Sequence, residues 1–421
     1  MTGAACGVNG NSPSTAHPVL GQPKGTPLVL GQPAPAGTGQ LSAVACANAE
    51  RCWAVGVAGA NSSTAVPATV IIATDDGGRK WRAQAVRGSV IPQLSGVSCP
   101  TARDCIAVGS TGASVPGSDV AYTTADGGTV WSPATAPPGA LDMPSVQCAS
   151  VSDCTAIVST GSLLEVAHSA DFGQSWQTEG DLPGGFFAES DLSCNGTGAC
   201  LVAGYVPTTA GHGQGAVALS TDGGQTWALA TVPAGVGVLQ SVACTTATTC
   251  LATGTTGTTV SDVVPAQGQL LYTADGGHTW TTTEAVVPAR RPTGTTGSST
   301  STTTTVSTTS TTAASPAPAR PLPVDDAFAI ACPSSRVCAL VGTKWSGQPA
   351  VAAGAVAQSR DGGTTFAAAS AAYIPLALSA LACPTASGCI AVGGDTVARV
   401  TLLPPKPVAQ APIRGSGVAR Q

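Results

Sequence analysis

Residues 94–109, LSGVSCPTARDCIAVG, carry the unit from which this chain is built. An alternating apolar segment runs into Cys99, five turn-forming residues follow, and a second apolar segment leaves Cys105. Strand, short loop, strand is a hairpin, and it sets the two sulfurs across the mouth of the loop within bonding reach. The same C-x5-C unit occurs seven times, as Cys46 and Cys52, Cys99 and Cys105, Cys148 and Cys154, Cys194 and Cys200, Cys244 and Cys250, Cys332 and Cys338, and Cys383 and Cys389. Successive first cysteines lie about 50 residues apart, a repeat length of propellers and solenoids, except for the longer gap from Cys244 to Cys332. Structural zinc sites favour two to four intervening residues, and no histidine accompanies any pair, so no metal is expected. Seven local disulfides imply an oxidising, extracytoplasmic compartment. Closing each small loop contributes on the order of 2 kcal/mol.

A second motif keeps the same period. It reads TDDGGRKW (74–81), TADGGTVW (124–131), SADFGQSW (169–176), STDGGQTW (220–227), TADGGHTW (273–280) and SRDGGTTF (359–366). An aspartate opening a tight turn can accept hydrogen bonds from the turn's own amides, glycine supplies the positive φ, and the terminal aromatic packs inside the next strand. The pattern S/T-x-D-x-G-x-S/T-W resembles the Asp-box, or BNR, repeat of sialidase-like propellers. That resemblance implies that Asp76, Asp126, Asp171, Asp222, Asp275 and Asp361 are structural, at turns between third and fourth strands, on the face away from a ligand.

In order, the two motifs give a four-stranded unit: strand A ends at the first cysteine, strand B starts at the second, strand C enters the aspartate turn and strand D leaves it. The expected fold is an all-β, seven-bladed propeller of antiparallel blades over residues 26–403, with a disulfide in every A–B hairpin and repeats starting near 41, 94, 143, 189, 239, 327 and 378. The seventh unit has strands A to C but no aspartate turn. TPLVLGQ, Thr26 to Gln32, is expected to supply its outer strand and close the ring. The Thr/Ser/Pro-rich stretch 289–322 explains the long spacing and reads as a disordered insertion, and 1–25 and 404–421 read as a disordered tether and tail.

Only 9% of residues are charged, while Gly 52 and Pro 32 make the chain turn-rich and helix-poor. A net charge of −5 leaves no basic surface for nucleic acid. No apolar run is long enough for a transmembrane helix, and no cofactor is implied. Cys6, the unpaired cysteine, sits in GAAC, which resembles the end of a bacterial lipoprotein signal. A start upstream of Met1 and a lipid anchor at Cys6 are the corresponding expectations, with an extracellular or cell-surface location and a monomeric state.

The resemblance to sialidases implies three arginines, a tyrosine nucleophile with a glutamate, and an aspartate acid/base on the ligand face. None of the seven A strands contains an arginine, and Tyr122 and Tyr272 precede aspartate turns, so the resemblance carries the fold and not the catalytic set. Two carboxylates flanking a glycosidic bond need less sequence. Glu179, Asp181, Glu189, Asp191, Asp325 and Asp326 are the acids expected near the ligand-facing rim, and His212, Lys344 and Trp345 are the other candidate contacts, Trp345 for stacking on a sugar ring. The expected function is a non-enzymatic binding scaffold for a glycan or a cell-envelope protein. The alternatives are a glycoside hydrolase with unidentified carboxylates, and an assembly factor of a membrane complex, as in related propellers that help build photosynthetic complexes.

Overall fold

The B strands are unbroken apolar runs, CIAVG after the second hairpin and CLVAG after the fourth, and such runs need cover on both faces. The computed structural model describes residues 28–59, 69–88, 93–113, 115–161, 163–186, 188–194, 198–207, 213–255, 268–282, 322–346, 351–372, 374 and 377–407. These form a seven-bladed β-propeller without helices. The A strands are Thr38–Cys46, Gln93–Ser98, Asp142–Ser150, Ala188–Cys194, Leu239–Cys244, Asp326–Ser334 and Ala380–Thr385. Each pairs antiparallel with its B strand, and strand C follows on the far side of B. All seven expected cysteine pairs are bonded, which fits an oxidising environment.

The core is a set of layers between blades. Seven apolar clusters each draw on two neighbouring blades: Ile106 and Val108 of blade two, for example, meet Val146, Ala156 and Trp176 of blade three. Trp53, Trp131 and Phe366 are almost wholly buried in such layers. A blade alone could cover neither face, so the ring is the folding unit.

Closure uses the N-terminal strand. Leu28–Pro33 pairs antiparallel with Thr396–Thr401, from Leu28 opposite Thr401 to Pro33 opposite Thr396, and is the outer strand of blade seven. Beyond the expected four strands, two blades gain a fifth. Ser370–Ala372 runs parallel to Leu28–Leu30, and Ala85–Val86 parallel to Val130–Trp131. In both cases the chain leaving strand D caps the open edge of the next blade, satisfying backbone groups that would otherwise be exposed.

Residues 404–407 depart from the expected tail. Gln358 exchanges two hydrogen bonds with the backbone of Leu403 (2.7 and 3.0 Å), and Lys406 then bonds Asp361 Oδ2 at 2.7 Å, which lays this segment along blade six. Residues 1–25, with Cys6, and 289–321 and 408–421 lie outside the described residues.

One glycine position recurs for steric reasons. A Cβ on Gly109 or Gly342 in strand B would lie 1.9 or 1.8 Å from the carbonyl oxygen of Gln93 or Asp326, where strand A bulges inward. Gly109→Ala is therefore expected to lower unfolding free energy by about 2 kcal/mol or more. Gly59→Ala, whose Cβ would meet nothing closer than 3.5 Å, should stay within about 0.5 kcal/mol of the parent in denaturant titrations.

Candidate functional site

The strand order divides the ring into two faces. A–B hairpins and aspartate turns lie at one end of the blades, B–C and D–A connections at the other. In blade four, Asp222 Oδ1 accepts from the Ser220 hydroxyl (2.8 Å) and the Thr226 amide (2.9 Å), while Oδ2 accepts from the Thr226 hydroxyl (2.5 Å). The same pattern holds Asp171, Asp275 and Asp361, and Asp76 and Asp126 keep the Oδ1 contacts. The Thr226 hydroxyl and amide hold the Asp222 carboxyl down at about 2, and Asp275 is lowered by the equivalent Thr279 groups. For Asp361 burial pushes upward, but Lys406 and Thr365 outweigh it and leave the carboxyl at about 2. Carboxylates so committed serve the turn and are poorly suited to proton transfer.

The A strands surround a central channel of about 520 Å³. Its wall is mainly serine, alanine, valine and cysteine, with Gln147 and Gln240, and Asp191 is the one charged side chain among the described lining residues. These polar groups latch blade to blade. Ser98 Oγ accepts from the Cys148 amide (2.9 Å), and Gln147 exchanges bonds with both backbone groups of Cys194 (2.7 and 3.1 Å). Asp191 Oδ2 accepts from the Ser241 hydroxyl (2.6 Å) and the Val242 amide (3.0 Å), while Ser241 Oγ accepts from the Ile330 amide (3.1 Å), linking three blades. Burial, offset only in part by the Ser241 and Val242 donors, pushes the Asp191 carboxyl up to about 6.

On the opposite face from the aspartate turns, blade six presents an aromatic platform. Trp345 is the penultimate residue of strand B, which runs Val337–Ser346, and is 47% exposed. Its indole N–H donates to Asp326 Oδ2 (2.9 Å) and its amide to Asp325 Oδ2 (2.7 Å), and Lys344 Nζ bonds Asp325 Oδ1 at 2.5 Å. Its polar edge is thus engaged by a carboxylate of the same blade, and an exposed ring so oriented suits stacking.

The structure thus joins Lys344, Trp345, Asp325 and Asp326, and separates the other acids. Glu179 and Asp181 are exposed on the outer strand Gln177–Asp181 of blade three, whereas Asp191 is on the inner strand of blade four. The D–A crossing carries the chain from the outer edge of one sheet to the inner edge of the next, so Asp191 belongs to the channel wall and not to the rim, and cannot form a catalytic pair with Asp181. Glu189 lies two residues before Asp191 on the same strand. His212 is outside the described residues. Gln147, Ser98 and Ser241 were not singled out by sequence reasoning.

No protein-family model matches the chain, and no curated protein does. Similar solved structures include "YCF48 bound to D1 peptide" (13% identity, TM-score 0.55, 89% of this chain and 97% of that one) and YCF48 from Cyanidioschyzon merolae (13%, 0.54, 89% and 98%). A Hadza microbial sialidase, Hz136, aligns with TM-score 0.43 at 13% identity over 86% of this chain and 66% of its own. What these matches show is the propeller fold.

The two classes of carboxyl set opposite pH limbs. Asp191, raised above its ordinary 3.8, takes up a proton in the folded chain first, so stability rises as pH falls from above 6 toward 4. The depressed aspartates contribute stability above 3.8 that is lost as pH falls toward 2. Calorimetric Tm is expected to peak near pH ~4, with a smaller rise on the upper limb in Asp191→Asn. A Tm falling steadily from neutral pH would contradict this assignment.

Proposed function

We propose that this protein is an exported binding scaffold that holds a segment of a partner protein on the face bearing the B–C and D–A connections, with Trp345 as the anchor. The observation that carries the reading is the half-exposed indole, oriented by Asp325 and Asp326. A flat aromatic surface fixed before binding suits the proline or aromatic side chain of an extended segment, because little conformational freedom is lost on contact. The channel lining supports binding over hydrolysis: its one described carboxylate is engaged by the next blade, and no arginine is present among the described lining residues. The peptide-bound fold neighbour gives a precedent for a protein ligand on such a ring. Seven disulfides support export to an oxidising compartment.

Selection of a peptide display library on the oxidised protein tests this reading. Recovered peptides are expected to carry aromatic or proline residues and to bind Trp345→Ala at least tenfold more weakly, with Tm unchanged within about 2 °C. Peptides that bind Trp345→Ala as tightly as the parent would remove the platform from the proposal. Ligands found only on a glycan array, with the same dependence on Trp345, would replace the protein partner by a sugar.

A further inference from the structure

Blade six shows how this fold accommodates two carboxylates on its loop face. Asp325 and Asp326 are met by the Lys344 ammonium and by two N–H donors of Trp345. Between blades two and three the same face carries a second carboxylate pair, met by no ammonium or guanidinium among the described residues. Asp119 opens strand C of blade two, Asp119–Thr124, and Asp142 opens strand A of blade three. The Gly117 amide donates to the Ala140 carbonyl at 2.8 Å, holding the two approaches together.

Asp119 is only 6% exposed. Its Oδ2 and Asp142 Oδ1 are both buried and without a hydrogen-bond partner among the described residues. No lysine or arginine forms an ion pair with either one among those residues. Ser110 lies opposite Asp119 in the ladder, and the Met143 amide and the Ser110 hydroxyl offset part of the effect of burial on the Asp142 carboxyl. Burial, with the Asp142 charge adding to it, pushes Asp119 up to about 6, and burial raises Asp142 as well. Two like charges, one buried and one half-buried, each with a bare oxygen, are costly unless a cation or a proton neutralises them.

We propose that Asp119, Asp142 and Ser110 form a binding site for a hard divalent cation of the calcium type, clamped between blades two and three. The donors are all oxygens, two of them carboxylate, which is the set such an ion prefers over softer metals. Backbone carbonyls and water would complete its shell. The ion stands in this pair where the Lys344 ammonium and the Trp345 N–H groups stand in blade six, and it would fasten the B–C connection of one blade to the start of the next.

Oxidised full-length protein, stripped with a chelator, is titrated with calcium chloride at neutral pH by calorimetry and by thermal melting. The expected result is one ion per chain, with a dissociation constant on the order of 10⁻⁴ to 10⁻³ M and a Tm gain of about 2 °C at tenfold excess over it. Asp119→Asn and Asp142→Asn keep the side-chain shape, remove the repulsion, and are expected to fold with a Tm that no longer responds to calcium. Asp325→Asn should respond like the parent. Absence of calcium heat and of a Tm gain in the parent would overturn the site, and so would a full response in Asp119→Asn. A parent indifferent to calcium, yet stabilised by acidification through Asp119, would show a shared proton in place of the ion and would equally overturn it. Should either variant fail to fold, the stoichiometry measured on the parent decides.

Discussion

The pairing of Leu28–Pro33 with Thr396–Thr401 is the constraint on which the ring depends. Blade seven has three strands of its own, and the outer one is borrowed from the other end of the described chain. Val29 on the borrowed strand packs with Val400, Leu402 and Ile374 in the layer shared with blade six. Because every apolar layer needs two blades, an open ring would expose the sheet faces at both ends of the array. The parallel strand Ser370–Ala372 then covers the outside of the closing strand. Closure is thus built into the same layer that joins blades six and seven.

Once the ring is closed, its two faces have different chemistry. The hairpin face is tied down by disulfides and by aspartates whose oxygens are used within their own turns. Little there is free to change partner. The opposite face carries the segments whose lengths differ most between blades, and on it the side chains depart from the repeat: Trp345 with its two aspartates, and Asp119 with Asp142. Between the faces the channel wall uses its polar groups to join A strands, so Asp191 acts as a strut between blades four, five and six by way of Ser241.

Blade count, disulfide pairing and the closing strand were legible in the sequence because each rests on local spacing or on a missing element. Trp345 stood out because it falls outside the repeating turn motif. The strut at Asp191 was not legible, since alternation tells which face a residue occupies but not which group 50 residues later meets it. A signal was present all the same. The residue three before the first cysteine is polar at Ser145, Asp191 and Ser241 and is alanine or glycine in the other four units, a departure confined to blades three to five. Asp119 and Asp142 were missed for a related reason: they lie on different blades, and only the ladder register and the loop contact at Gly117 bring them to one place. Residues 404–407, PPKP, carry no strand pattern, and their place comes from Lys406, which finds its partner in Asp361 of blade six.

The proposed function is that this ring binds a partner and leaves glycans intact. The most direct measurement is mass spectrometry of a panel of terminally decorated glycans after incubation with the oxidised protein at mildly acidic and neutral pH. The prediction is that every glycan is recovered intact. Release of a terminal sugar by the parent, lost in an Asp191→Asn variant that remains folded at the assay temperature, would contradict that function and make the channel an active site.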